Sequence, residues 1–325
     1  MATSGSQNFS QTRSELILDA FQLIGVYGIG RTVSAEDTTV AASFLNKMIK
    51  AWAVKGLHLW EKTEGVLYLT PHEEQYSLGN ASTDAYATNV SDEVVTQLNG
   101  ALATSATSVT VDSTTGMTVA DKIGVVLTNK TIHWTTIATI PSSTTLTLTT
   151  GVASAASDNA LVYTFTSRLY KPLRILEARR VTGIDTGATS TLTETPMTVI
   201  ANKDFMNLSS KFKSSGSPNQ YTYIPKNTNG LFYVFTRPSD GAERINFTYE
   251  RIIEDLDNAS DDFDFPSEWL EPITWQLALR LGPAFGRSDK AVKVIFPIAS
   301  KMLDNLIEWD TETASLMFTP DLGGC

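Results

Sequence analysis

Between Ser34 and Trp60 the chain reads SAEDTTVAASFLNKMIKAWAVKGLHLW. Ser34 is a good helix N-cap, and Asp37, three residues on, makes a weaker form of the capping box. Val40, Ala41, Phe44, Leu45, Met48, Ile49 and Trp52 recur at three- and four-residue spacing, the mark of one wide apolar stripe on a helix. Gly56 supplies a residue able to stop that helix in a left-handed conformation. The residues up to Trp60 read as a short aromatic strand. So broad a stripe cannot stay wet, and matching helical patterns occur only toward the two ends of the chain. The expected fold is α+β: a helical bundle from N- and C-terminal helices, with a β-rich middle region and an inserted small β-barrel or sandwich domain.

The rest of the chain fills in that plan. Residues 1–11 are polar and read as a flexible N-terminus. Thr12 and Glu15 form a capping box before a helix carrying Leu16, Ile17, Ala20, Phe21 and Ile24. Gly25, Gly28 and Gly30 end it, so 12–60 reads as a helical hairpin. Residues 61–96 read as strand, turn and strand, with the turn at Pro71. From 97 to 166 the composition shifts to Thr, Ser and Ala, with few charges. Short β-runs follow one another there: SVTVDS, KIGVVLT, TIHWTTIATI, TTLTLTT and ALVYTFT. Their length and spacing predict the inserted β-domain.

The segment 167–254 is β-rich and denser. KPLRILEARRVTG and GLFYVFTRPSDGAERINFTYERI read as strands, with Pro238 to Gly241 as a hairpin turn. NKDFMNLSSKFK reads as a short helix. Residues 255–311 are expected to complete the bundle. Pro266 and Ser267 open a helix whose face is Trp269, Leu270, Ile273, Leu277, Ala278 and Leu281, ended by Gly282-Pro283 and Gly286. Ser288 is expected to cap the last helix. Its stripe is Ala291, Val292, Ile295, Ile298, Ala299, Met302, Leu303, Leu306 and Ile307, with a kink at Pro297. Residues 312–325 form a tail with an apolar Leu316-Met317-Phe318 patch.

Composition removes several classes of function. The formal charge is −10 and the sequence pI about 4.8. No basic stripe of the kind a dedicated nucleic-acid binder carries is visible. No apolar run approaches the roughly 20 residues needed to span a bilayer. The N-terminal residues lack the apolar core of a secretory signal. Cys325 is the one cysteine, so no disulfide or thiolate metal site can form within the chain.

Chemistry-bearing residues are sparse. His58, His72 and His133 share no metal-ligand spacing and read as structural. Asp255, Asp257, Asp261, Asp262 and Asp264 cluster, but the central glycine of a calcium loop is missing, so a solvated loop ahead of a helix is the better account. No nucleophile elbow or phosphate-cradling loop is present. We expect no catalytic residue, no metal and no cofactor. The Leu316-Met317-Phe318 patch either folds back or docks on a partner. Trp309 stands where the last helix meets that tail.

Two stretches carry a resemblance. One runs from Ser14 to Trp60: Glu15-Leu-Ile-Leu-Asp-Ala-Phe21, a glycine turn, Glu36-Asp37, Leu45-Asn46, Met48, Lys50-Ala-Trp52, Gly56 and Leu59-Trp60. The other is Asp121-Lys-Ile-Gly-Val-Val-Leu-Thr128, followed by Thr131-Ile-His-Trp-Thr-Thr136. Together they resemble the head-to-tail joining proteins of short-tailed bacteriophages, the portal adaptors or packaged-DNA stabilisation proteins. The β-insert departs from the shortest, mainly helical members of that family.

The resemblance implies a virion protein at the head-tail interface, assembled in the host cytoplasm. It implies a homo-oligomeric ring, typically of twelve subunits, beneath the portal protein ring. Such a ring extends the DNA channel, retains packaged DNA and offers a platform to downstream tail proteins. Carried over, the portal-binding residues are Trp309, Leu316, Met317 and Phe318. Double-stranded DNA would pass through without sequence-specific binding, helped by negative charge on the wall. No membrane partner is implied. Two other readings stay open. One is a carbohydrate- or receptor-binding β-module using Trp134 and Tyr163 as an aromatic platform. The other is a cell-wall hydrolase using two carboxylates.

Overall fold

The computed structural model describes residues 9–53, 62–79, 86–185, 190–209, 211, 215–251, 256–261 and 266–309. The chain begins with helices α1 (Arg13–Ile24) and α2 (Ala35–Ala53). Strands follow: β1 (Lys62–Tyr68), β2 (Gln75–Leu78), β3 (Ala87–Asn89), β4 (Val94–Gln97), β5 (Ser108–Thr110), β6 (Lys122–Val126), β7 (Ile132–Thr139), β8 (Thr145–Leu148) and β9 (Leu161–Phe165). Next come β10 (Arg174–Thr182), β11 (Thr193–Pro196), β12 (Thr198–Val199), helix α3 (Asn202–Asn207), β13 (Ser215–Gly216), β14 (Gln220–Ile224), β15 (Gly230–Phe235), β16 (Arg237–Pro238) and β17 (Arg244–Glu250). The chain returns to helix in α4 (Leu270–Ala284), α5 (Ser288–Lys290), a π-turn (Ala291–Ile295) and α6 (Phe296–Trp309). Contacts divide it into two units, Met1–Glu61 with Ile253–Cys325, and Lys62–Ile252.

In the first unit, local chemistry sets the helix ends. The Thr12 amide donates to Glu15 Oε2 at 2.8 Å, and the Glu15 amide donates back to Thr12 Oγ1 at 3.4 Å. That bonding holds the Glu15 carboxyl below its ordinary value. Gly25 closes α1 at φ 76°, a conformation that favours glycine. Ser34 Oγ accepts the Asp37 amide at 3.1 Å, and the Tyr27 hydroxyl bonds the Asp37 carboxylate. All five predicted core residues of α1 are buried. They share one apolar cluster with Ala41, Leu45, Met48, Ile49 and Trp52 of α2 and with Trp269, Ile273, Leu277 and Leu281. Phe44 packs partly against it, and Val40 stays 42% exposed. Phe21 meets Tyr27 and Phe285 edge-on, at 5.4 and 4.9 Å.

Two expectations need correction here. α4 runs through Gly282-Pro283 to Ala284. Gly282 is retained inside it for a close approach, since a Cβ there would lie 2.5 Å from that of Ala291. Ser288 is the first helical residue rather than the cap, which is Arg287 with no side-chain cap bond. A π-turn, Ala291–Ile295, stands just before Pro297. Proline has no N–H for the carbonyl four residues back, and a widened turn offers that carbonyl the next donor along. Gly56, His58 and Trp60 lie outside the described residues.

The second unit holds four sheets. A five-stranded sheet has the order β11-β10-β17-β1-β3 and a four-stranded one β12-β14-β15-β2. β13 pairs with β16, and a six-stranded sheet has the order β4-β9-β6-β7-β8-β5. The hairpin expected around Pro238–Gly241 does not form. β17 is flanked by β1 and β10, while β15 lies between β14 and β2. β17 buries Ile245, Phe247 and Tyr249 on one face by simple alternation. β1 and β2 likewise part into different sheets.

The six-stranded sheet contains every β-run expected between 97 and 166, and begins earlier, at Val94. Val109, Val111, Ile123, Val125, Ile137, Leu146, Leu148 and Val162 form its core. Threonines bond across from β7: Thr136 with Thr149 at 2.8 Å, and Thr150 with Thr135 at 2.7 Å. Gly124 is required by Trp134, whose ring would lie 2.7 Å from a Cβ at that position. Asp121 is buried and accepts from the Thr118 amide and from the hydroxyls of Thr118 and Thr166, at 2.6, 2.7 and 2.9 Å.

The first unit's core sets a stability expectation. Phe21→Ala should cost about 3–5 kcal/mol, the range for deleting a buried aromatic. Val40→Ala, on the same helical layer but exposed, should change stability by less than about 0.5 kcal/mol. Urea unfolding of the two variants beside the parent chain measures both.

Candidate functional site

The residues expected to bind a partner are only partly placed. Trp309 is the last residue of α6. Leu316, Met317 and Phe318 lie outside the described residues. Of the acidic cluster, Asp257 and Asp261 are described, and Asp255, Asp262 and Asp264 are not. Asp261 Oδ2 accepts the Asn258 amide at 2.6 Å, which holds its carboxyl below the ordinary value. The carbonyls of Ala259 and Asp261 accept the Ser14 and Arg13 amides at 3.2 and 3.1 Å. Arg13 Nη1 also donates to the Leu256 carbonyl at 2.7 Å. This part of the loop therefore satisfies free donors at the start of α1. Among the described residues, no group of three His, Cys, Asp or Glu side chains could hold a metal ion.

The aromatic platform proposed for a glycan is closed. Tyr163 is fully buried, and its hydroxyl donates to the Ala242 carbonyl at 3.1 Å. Trp134 stacks on Tyr86 at 4.1 Å and 5°, and the Arg168 guanidinium lies over Tyr86 at 4.6 Å. These rings lie on β7 and β9, and β1 covers them. Tyr68 of β1 packs on Trp134, Tyr163 and Phe165 at 5.0, 4.8 and 5.9 Å.

Beside those rings sits a buried polar group. The Tyr68 hydroxyl donates to Glu93 Oε1 at 3.0 Å. Arg244 Nε lies 3.5 Å from the same oxygen, and Arg244 Nη1 donates to the Gly183 carbonyl at 3.2 Å. The Arg244 guanidinium is also 5.7 Å from the Tyr163 ring centre. Burial raises the Glu93 carboxyl, against the pull of Arg244 and the Tyr68 hydrogen bond. This group links β1 and β17 of the five-stranded sheet with the approach to β4.

Among the described residues of the first unit, two surfaces carry apolar side chains outside the core. One is a groove of about 680 Å³ along α1 and the first turns of α4. Phe9, Leu23, Ile29, Leu270 and Trp275 supply its apolar lining, and Ile29 is 95% exposed. Its charged lining residues are Asp19, Glu268 and Glu271, all carboxylates. The other surface is the outer face of the last helix. Ala291, Ile295, Ala299 and Leu306 reach the core, whereas Val292, Val294, Phe296, Ile298 and Ile307 are exposed. The periodic stripe had placed Val292, Ile298 and Ile307 inside. The run AVKVIFPI holds more apolar residues than one helix face can bury, and the π-turn rotates the face partway along. That surplus was the available signal.

Among the described residues, the helices of the first unit carry apolar side chains that its core does not bury, and the sheets of the second unit close on their own cores. Residues 118–293 match the family model described as SU10 adaptor protein. The chain belongs to that family, and so to the phage head-tail adaptors, which are virion components meeting portal and tail proteins. No match was found among curated proteins. Among the described residues no helix is long and apolar enough to cross a membrane.

The Glu93 group yields a pH test. Its folded value lies above its unfolded one, so the folded chain holds the proton more tightly. The stability this gives is complete below the unfolded value of about 4.3 and is lost as pH rises through the folded value. Glu93→Gln keeps an acceptor for Tyr68 and cannot ionise. The variant should match the parent near pH 4 and become the more stable of the two as pH rises toward 8, read by urea unfolding across that range.

Proposed function

We propose that the chain is a structural adaptor assembling as a ring of twelve copies beneath the portal ring. In this reading 12–60 and 255–311 form one helical bundle, and 97–166 is a domain inserted into the β-rich middle. The ring prolongs the DNA channel, retains packaged DNA and presents a platform for tail proteins. The wall is acidic and lets DNA slide, since a chain of formal charge −10 offers few groups to neutralise phosphates. No turnover is assigned. The family match over 118–293 is the observation that carries this reading.

Portal attachment is assigned to the end of the last helix and the tail, with Trp309, Leu316, Met317 and Phe318 as anchors. The supporting argument is chemical. An apolar patch on a polar tail gains stability only when buried. The glycan-binding alternative loses its motivation, because Trp134 and Tyr163 are consumed in a closed cluster.

Light scattering on the purified protein should give a monomer or small oligomer when free, and a ring when portal rings are added. Deleting residues 312–325 should weaken portal attachment and leave the circular dichroism melt unchanged. Full attachment by the truncated protein would remove the anchor assignment. Failure of the complete chain to form any ring on portal would remove the function.

A further inference from the structure

A closed ring needs two different surfaces on each copy, one fitting the other. The first unit has two unused surfaces of opposite character. The groove is concave and apolar, and its charged lining residues Asp19, Glu268 and Glu271 are all acids. The outer face of the last helix is apolar too, with Val292 64% and Phe296 53% exposed. From Lys290 to Lys301 its charges are basic, with Lys290, Lys293 and Lys301 exposed, and the exposed Asp289 and Asp304 stand at either end of that stretch. This is a local reversal in a chain that is acidic as a whole.

We propose that the face presented by Val292, Lys293 and Phe296 of one copy seats in the Asp19–Glu268–Glu271 groove of the next copy, head to tail. The inference rests on the ring reading above and names the contact that closes it. Residues 292 and 296 stand one helical turn apart, so they project as neighbours from one side of the helix. In the groove, Ile29, Leu23 and Trp275 offer them apolar surface. The lysines then lie against the carboxylates, which sets direction and excludes a face-to-face dimer. Two copies of the basic face repel, as do two copies of the groove.

Opposed variants test this in the full chain. Glu268→Lys with Glu271→Lys reverses the groove and leaves the helix face intact. Lys293→Glu with Phe296→Ser reverses the face and leaves the groove intact. Both pairs are at surface positions, so each variant should melt as the parent does; Val292→Ser with Lys293→Glu is a second face variant should Phe296 matter to folding. Each protein is mixed with portal rings, and ring formation is scored by electron microscopy and light scattering.

The parent should form rings, and each variant alone should form fewer than one tenth as many. An equimolar mixture of the two opposed variants still joins one intact face to one intact groove. It should therefore give face-to-groove heterodimers, detected by cross-linking and absent from either variant alone. Combining both reversals in one chain restores opposite charge across every junction, and Lys293→Glu with Glu271→Lys, keeping Phe296, should recover rings. Variants that close rings as readily as the parent would overturn this contact and leave the ring reading standing. A parent chain that forms no ring on portal would overturn both.

Discussion

Leu16, Phe21 and Ile24 near the beginning of the chain and Trp269, Leu277 and Leu281 near its end are buried in one apolar cluster. Neither set can leave water without the other, so a long intervening chain must depart and come back. Loop closure makes this cheap, since doubling a loop adds only about 0.6 kcal/mol of entropy cost. The excursion is also closed on itself. Its first strand, β1, pairs with its last, β17, from Lys62 opposite Glu250 to Tyr68 opposite Arg244. Bringing the two ends of 62–252 side by side satisfies their backbone groups and returns the chain close to where it left.

That closure explains why the buried polar group lies where it does. Tyr68 and Arg244 are partners at one end of the β1–β17 register, and Glu93 reaches both. At the other end Glu250, nearly fully buried, pairs with Arg174 of β10 through both carboxylate oxygens. Each end of the closing pair is thus pinned by a charged contact, and the middle by the Phe247 and Tyr249 rings. Gly65 leaves room for Phe247, whose ring would lie 2.8 Å from a Cβ there. Aromatic packing supplies the affinity between sheets, and the charged ends fix register, since a one-residue slip would bury them unpaired.

The helices were readable because their signals are local. All five predicted apolar residues of α1 and all six of the α4 face are buried, as a 3.6-residue period requires. The strands were also readable as strands, β5 to β9 each falling in an expected run. Their partners were not. The PSDG turn looked like a hairpin because turn residues act over four positions, whereas pairing is decided by which strands lie alongside. β17 pairs with β1, far earlier in the chain, and not with β15. The same limit hid the fate of Trp134: alternation says that one side of β7 is apolar, and cannot say that β1 and Tyr86 cover it. The expected portal anchors beyond Trp309 fall outside the described residues, so that part of the site stands on the tail's chemistry alone.

The surplus of apolar residues in the last helix has a further consequence for when copies associate. Chains of net charge −10 repel one another, and the repulsion reaches about 8 Å at physiological salt. In the proposed contact, one turn of apolar side chains and a few lysine-carboxylate pairs would stand against it, setting direction and rate more than affinity. A contact of that size is weak between free copies. On the proposed reading it would become effective when a portal ring holds neighbouring copies at high local concentration, because the second binding event would then be intramolecular. On the proposed reading, the modest patch on the helix and the acidity of the whole chain would act together, keeping free subunits apart and letting them close into a ring only on a template.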